Sequence, residues 1–220
     1  VATPAAVVFA GGVPVPVDIG PDNLMDAATL EAAITERTRF VMPVHVNGRT
    51  CDMVAIQQVC QKQGLKIVED AAQALGARFR AQMAGSFGVA AAFSFYPAKV
   101  LGCLGDGGMV VTNHAEVADR IFQLRDHGRD DSGEVRGWGL NSRLDTLQAA
   151  VLHLQFKDYG HMLQYRRSLA ATYDHRLSSI SALRLPAPPV EDGEHFDIFQ
   201  NYEIEAERRD DLQQFLREKG

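Results

Sequence analysis

The stretch Phe93-Ser-Phe-Tyr-Pro-Ala-Lys99-Val-Leu-Gly-Cys-Leu-Gly-Asp-Gly-Gly-Met-Val-Val-Thr112 holds the pattern that decides the fold and points to the chemistry. It joins an apolar run at Ala90 to Phe95 to a second one at Met109 to Thr112, through a proline turn, a lysine and a glycine-rich segment. Apolar runs of this length, unbroken by alternating polar residues, read as strands covered on both faces. Working outward, Leu65 to Glu69, Phe40 to Val44 and Val13 to Asp18 have the same character. Between them Met53, Ile56, Val59 and Cys60 recur at helical spacing, and so do Val117, Ala118, Ile121 and Phe122, with Asn113 as N-cap and Glu116 as its capping-box partner. Strands alternating with amphipathic helices predict an α/β domain with a mostly parallel sheet.

Two further helical stripes follow, Leu144, Leu147, Val151 and Leu154, then Met162, Tyr165, Leu169 and Tyr173; both read as faces turned to the core. Pro186, Pro188 and Pro189 break regular structure, and beyond them Phe199 to Ile204 reads as a strand and Arg209 to Lys219 as a helix. The expected division places 1–160 in a large domain and 161–220 in the start of a smaller, truncated α+β one.

Composition excludes several classes of function. The 220 residues carry 22 Lys and Arg against 28 Asp and Glu, a net charge of −6 without a concentrated basic face, which excludes a nucleic-acid surface. Arg166-Arg167 and Arg208-Arg209 read as solvated helix faces. No apolar run reaches the ~20 residues of a membrane span and no leader opens the sequence, so a cytoplasmic location is expected. Cys51, Cys60 and Cys103 match neither a disulfide framework nor a metal site and read as free thiols. The chain starts without Met and stops directly after a helical pattern, as a segment of something longer would.

A lysine just after a strand is where an aldehyde cofactor can be captured as a Schiff base, and Lys99 is that lysine. Asp70 follows the apolar run Leu65 to Val68, at the carboxyl end of a strand where open α/β sheets place ligands. There it can pair with the ring nitrogen of a pyridine cofactor; the other reading is a cap for a helix starting at Ala71. Ala72 is small enough to lie against such a ring, and Gln73 can reach a phenolic oxygen on it. Ser94 can hold a phosphate or be an ordinary buried hydroxyl. His45 reads as a core or loop histidine. The glycines from Gly102 to Gly108 precede a strand instead of following one, so they are no dinucleotide fingerprint; they are expected to supply positive φ angles close to a ligand.

Taken together, MPVHVNG at 42–48, IVEDAAQALGA at 67–77, FSFYPAKVLGCLGDGGMVVT at 93–112, LRDHGR at 124–129 and GLNSRLDTLQAA at 139–150 resemble the DegT/StrS family of nucleotide-sugar aminotransferases. The resemblance implies the fold-type I architecture and pyridoxal 5′-phosphate, held by Lys99 as a Schiff base. It also implies Asp70 on the pyridine nitrogen, Ala72 and Gln73 beside the ring, and Ser94 on the phosphate. Asn141 would reach the phosphate in the neighbouring subunit, making a homodimer with shared sites. Family members aminate a keto group on a nucleotide-linked deoxysugar with glutamate as donor, and relatives with histidine at the lysine position dehydrate instead, so Lys99 implies amino transfer. The FYPAK…LGDGG form resembles members acting on 3-keto sugars. A lyase or dehydratase on the same cofactor, or a non-catalytic regulatory homologue, are the alternatives. The family's amino-terminal Gly-Thr phosphate turn and stacking aromatic lie outside this sequence, and Val89 stands where relatives often carry Asp.

Overall fold

The computed structural model describes residues 1–220. In chain order its helices are α1 (Ala2–Phe9), α2 (Ala27–Ala33), α3 (Met53–Gln63), α4 (Ala115–Arg125), α5 (Thr146–Phe156), α6 (Tyr159–Leu177) and α7 (Arg209–Lys219). The strands are β1 (Phe40–Val41), β2 (Lys66–Asp70), β3 (Arg78–Phe79), β4 (Gln82–Met83), β5 (Ala90–Ser94), β6 (Gly108–Val111), β7 (Leu183–Arg184), β8 (His195–Phe196) and β9 (Glu205–Ala206).

The main sheet runs in the order β1-β2-β5-β6, with the first three strands parallel and β6 antiparallel. Parallel neighbours need a crossover, and α3 supplies the one between β1 and β2. Its limits are written locally: Asp52 accepts from the Ala55 amide at 3.0 Å to open the helix, and Gly64 in the left-handed region (φ 65°) closes it. The shorter glycine-rich segment after β5 has no helix, so the chain doubles back and β6 pairs antiparallel, Ser94 opposite Gly108. Two apolar cores flank this sheet. One gathers Met53, Ile56, Cys60, Ile67 and Phe79; the other joins Phe95, Leu101 and Cys103 to Leu152, Tyr159, Leu163 and Ile198.

Several expectations are corrected. Val13 to Asp18 is no strand: Pro14 and Pro16 lack the N–H that a ladder requires, Val13 and Val15 are exposed, and only an isolated Ile19–Met25 bridge forms nearby. Phe199 to Ile204 is no strand either, because Phe199 adopts φ 51°, outside the extended region; the short β9 follows it. The N-cap of α4 is His114 rather than Asn113, since the Thr112 hydroxyl takes the His114 amide at 3.1 Å and sets the preceding turn; Glu116 stays in the first turn without a box partner.

The stripes on α5 and α6 are offset from the expected ones. Leu147, Leu154, Tyr165, Leu169 and Tyr173 are exposed, while Leu152, Tyr159, Leu163 and Ala170 are buried. Arg167 is what hid the true face of α6. It is 3% exposed, donates to the carbonyls of Asp197 (2.9 Å) and Val190 (2.8 Å), and lies over the Phe196 ring. Arg166 is likewise held by backbone carbonyls, so only Arg208-Arg209 is the solvated pair.

The glycines of the Lys99 loop act through bulk and not through positive φ, which none of them adopts. A Cβ on Gly102 would stand 2.8 Å from the Pro97 carbonyl oxygen, and one on Gly107 would stand 2.6 Å from Cys103 Sγ. The loop folds tightly against itself, and that is why side chains are missing there.

Candidate active site

The parallel strands end together. Val44 bridges Asp70, and Asp70 is in register with Ala92, so His45, Asp70 and Ser94 emerge along one carboxyl edge. Side chains alternate along a strand, and β2 therefore sends its last two carboxylates to opposite faces. Glu69 goes inward and Asp70 goes to the edge.

Glu69 and His45 are both fully buried, with His45 Nε2 at 3.0 Å from Glu69 Oε2. The remaining partners of Glu69 are the amides of Gly85 (2.6 Å), Phe87 (2.7 Å) and Gly88 (2.7 Å). His45 Nδ1 accepts from the Cys51 amide at 3.2 Å, so its proton sits on Nε2 and the ring is the neutral donor to Glu69. Burial alone would raise the Glu69 carboxyl; the hydrogen bond from His45 and those from Gly88 and Gly85 outweigh it and hold the group below its usual range. This network ties the loop after β4 to β1 and β2, and the expectation of a core histidine at His45 is met.

Asp70 is half-buried and caps no helix, because the residues after it form turns. Its Oδ1 accepts from the Ala72 amide at 3.1 Å and its Oδ2 from the Thr3 hydroxyl at 2.6 Å. Those two donors fix the carboxylate plane, and each oxygen keeps a lone pair for another donor. Thr3 was invisible to local pattern: it lies 67 residues away and opens α1.

Gln73 accepts from the Asn47 amide at 2.7 Å through Oε1, which orients its Nε2 as a free donor. Asn47 can make this contact because it adopts the left-handed conformation (φ 58°) in the turn after His45. Ser94 is half-buried and its Oγ accepts the Tyr96 amide at 3.2 Å, leaving its proton to donate. Lys99 is half-buried in the following turn, its amide bonded to the Tyr96 carbonyl at 2.8 Å. Ala72 is half-buried beside Asp70.

The structure thus gathers Asp70, Ala72, Gln73 and Ser94 along the edge, with Lys99 in the loop that follows Ser94. Asn141 stands apart, exposed and bridged through its backbone to Asp126. A polar cavity of about 260 Å³ lies beyond Asn47, walled by Arg49, Arg184, Asp197 and Glu203; none of Asp70, Gln73, Ser94 and Lys99 lines it. No helix is long and apolar enough to cross a membrane, and no group of acidic, His and Cys side chains could hold a metal ion.

As a donor set this edge fits pyridoxal 5′-phosphate: an amine for its aldehyde, a carboxylate for its ring N–H, an amide NH2 for its phenolic oxygen and a hydroxyl for its phosphate. The chain is 41% identical over 218 residues to dTDP-3-amino-3,4,6-trideoxy-alpha-D-glucose transaminase of Streptomyces venezuelae, covering 98% of this chain and 56% of that protein. It is 41% identical over 220 residues to a pleiotropic regulatory protein of Geobacillus stearothermophilus, all of this chain and 59% of the relative. Among solved structures, S. venezuelae DesV in complex with a ketimine intermediate matches with a TM-score of 0.92 at 40% identity, over 99% of this chain and 58% of that one. The chain therefore spans between half and two thirds of the length of these relatives. The family model for the DegT/DnrJ/EryC1/StrS aminotransferases matches residues 1–220, and the chain belongs to that family.

Proposed function

We propose that the whole protein is a pyridoxal-phosphate-dependent aminotransferase that converts a keto group on a nucleotide-linked deoxysugar to an amine, with glutamate as donor. The observation that carries this is the convergence of Asp70, Gln73 and Ser94 on one carboxyl edge, with Lys99 in the next turn. When bound, the cofactor supplies an electron sink for the carbon that gains or loses the amino group. Asp70, aligned by Thr3 and Ala72, binds the ring nitrogen, and Gln73 donates to the phenolic oxygen. Ser94 donates to the phosphate. Lys99 would hold the cofactor through Nζ, and its amine would be the group that carries a proton at the substrate carbon.

The named 3-amino sugar product of the Streptomyces relative supports a 3-keto sugar as substrate. Exposed apolar side chains at Leu104, Trp138, Leu140, Leu147 and Leu154 support a homodimer in which a partner covers them and Asn141 reaches across. A regulatory role is the second reading, favoured by the name of the Geobacillus relative.

The test uses the full-length protein. Mixed with pyridoxal 5′-phosphate and reduced with borohydride, it is expected to carry the cofactor on the peptide containing Lys99, and Lys99→Ala is expected to carry none. Supplied with glutamate and a nucleotide-linked 3-keto sugar, it should yield the amino sugar and 2-oxoglutarate in equal amounts. Cofactor retained covalently by Lys99→Ala defeats the site assignment; covalent cofactor on Lys99 without amine formation favours the regulatory reading.

A further inference from the structure

Phe199 is both buried and held in a sparsely populated backbone conformation. It is 5% exposed yet adopts φ 51°, a strained conformation that a bulky residue keeps only where its surroundings enforce it. The enforcement is visible. The Arg166 guanidinium donates from Nε to the Phe199 carbonyl at 2.9 Å and from Nη2 to the Gln200 carbonyl at 2.7 Å, and the Ile198 amide is bound to the Gly48 carbonyl at 2.9 Å.

What this backbone presents is Gln200. Its Oε1 accepts the Val100 amide at 3.0 Å, and its Nε2 donates to the Ala98 carbonyl at 2.9 Å. Those two groups belong to the two peptide units joined at the Lys99 Cα, so one side chain grips the lysine's backbone from both sides. The next residue reaches the other end of the site: Asn201 Nδ2 donates to Asn47 Oδ1 at 2.9 Å, and the Asn47 amide is the group bound to Gln73.

We propose that Gln200 is a positioning residue for Lys99, and that the strut Arg166–Phe199–Gln200–Asn201 fixes the Lys99 turn relative to Gln73. The inference rests on the reading of Lys99 as the cofactor's anchor. A lysine on a loose turn still forms the linkage, but its Nζ samples many positions and meets the carbonyl carbon less often. The strut also gives the segment beyond the prolines a mechanical hold on the reacting amine.

The test compares full-length wild type, Gln200→Leu and Gln200→Glu, the last keeping the acceptor for Val100 and losing the donor to Ala98. Three quantities are read: the rate at which added pyridoxal 5′-phosphate develops the visible Lys99 linkage band, kcat and KM for the nucleotide sugar, and thermal unfolding. Gln200→Leu should slow linkage formation and kcat together by about tenfold to a hundredfold, with KM held within about threefold. Gln200→Glu should lie between the two. Linkage at the wild-type rate in a folded Gln200→Leu overturns the strut, as does a loss confined to KM. Should Gln200→Leu fail to fold, Gln200→Glu decides alone, and wild-type rates in it overturn the proposal. A wild type that forms no linkage refutes the assignment of Lys99 itself, which is a different failure.

Discussion

Glu69→Gln changes one oxygen for an NH2 group at constant shape and is expected to be among the most damaging conservative substitutions in this chain. Glu69 accepts four hydrogen bonds: the amides of Phe87 and Gly88 on Oε1, the Gly85 amide and His45 Nε2 on Oε2. In either flip the new NH2 faces two donors. His45 cannot relieve the conflict by moving its proton, since Nδ1 already faces the Cys51 amide. Two buried donors are left without acceptors, at roughly 1–3 kcal/mol each, so a loss of about 2–6 kcal/mol follows. That is a large share of a typical domain's stability of about 5–15 kcal/mol. Asp70→Asn, one residue along, provides the contrast: its carboxylate is half-buried with two donors, and the expected loss is about 1 kcal/mol with near-complete loss of amino transfer. Urea unfolding of the full-length protein, followed by tryptophan fluorescence and by far-ultraviolet circular dichroism, measures both. A Glu69→Gln variant within 1 kcal/mol of wild type would refute the hydrogen-bond accounting and the His45 tautomer assigned from it.

Thr3→Val removes the donor that aligns Asp70 and should weaken cofactor affinity roughly fivefold to tenfold, while Thr3→Ser keeps it; equal affinities by equilibrium dialysis would show that Asp70 needs no second support. His195 is depressed from 6.5 to about 4 by burial and by the Arg49 charge, so the unfolded chain binds the extra proton first; stability should fall as pH drops from 6.5 toward 4, and His195→Phe should flatten that slope in unfolding titrations. Glu69, held below its ordinary 4.5, adds a loss that begins as pH falls below that value, and Glu69→Gln should remove this additional acid-induced decline. Burial pushes the fully buried Cys51 thiol up to about 12, and iodoacetamide at pH 8 should label it only at the rate of unfolding; rapid labelling in native buffer, read by mass spectrometry, would contradict the packing.

How much of this was legible in the sequence depended on distance along the chain. The places of Asp70 and Ser94 at the ends of strands were readable because each closes an apolar run, and the end of a strand is a position that pattern alone defines. The supports were not readable. Thr3 meets Asp70 across 67 residues, Asn47 meets Gln73 across 26, and Gln200 meets Val100 across 100, and no local periodicity encodes such pairings. Charge misled in the same way: Arg166-Arg167 carries the appearance of a solvated pair, yet carbonyls that converge only in the folded chain neutralise the cost of taking Arg167 out of water. The apolar character of Val13 to Asp18 outweighed Pro14 and Pro16 in the reading, where the missing N–H groups were the stronger signal. The glycines after Lys99 marked a special backbone correctly, although crowding and not handedness is what makes it special.

The grip of Gln200 on the peptides around Lys99 also says something about when the protein becomes competent. The strands carrying Asp70 and Ser94 pair over some twenty residues, whereas the Lys99 turn awaits a segment 100 residues later in the chain. Closing a loop of that length comes after the local contacts in any route that gains entropy-efficient contacts first. During synthesis the ribosome must release residue 200 before the lysine's backbone can be set. The Lys99 turn is thereby among the last parts of this edge to be set, and a chain interrupted earlier holds Asp70 and Ser94 in place without a fixed Lys99 turn beside them.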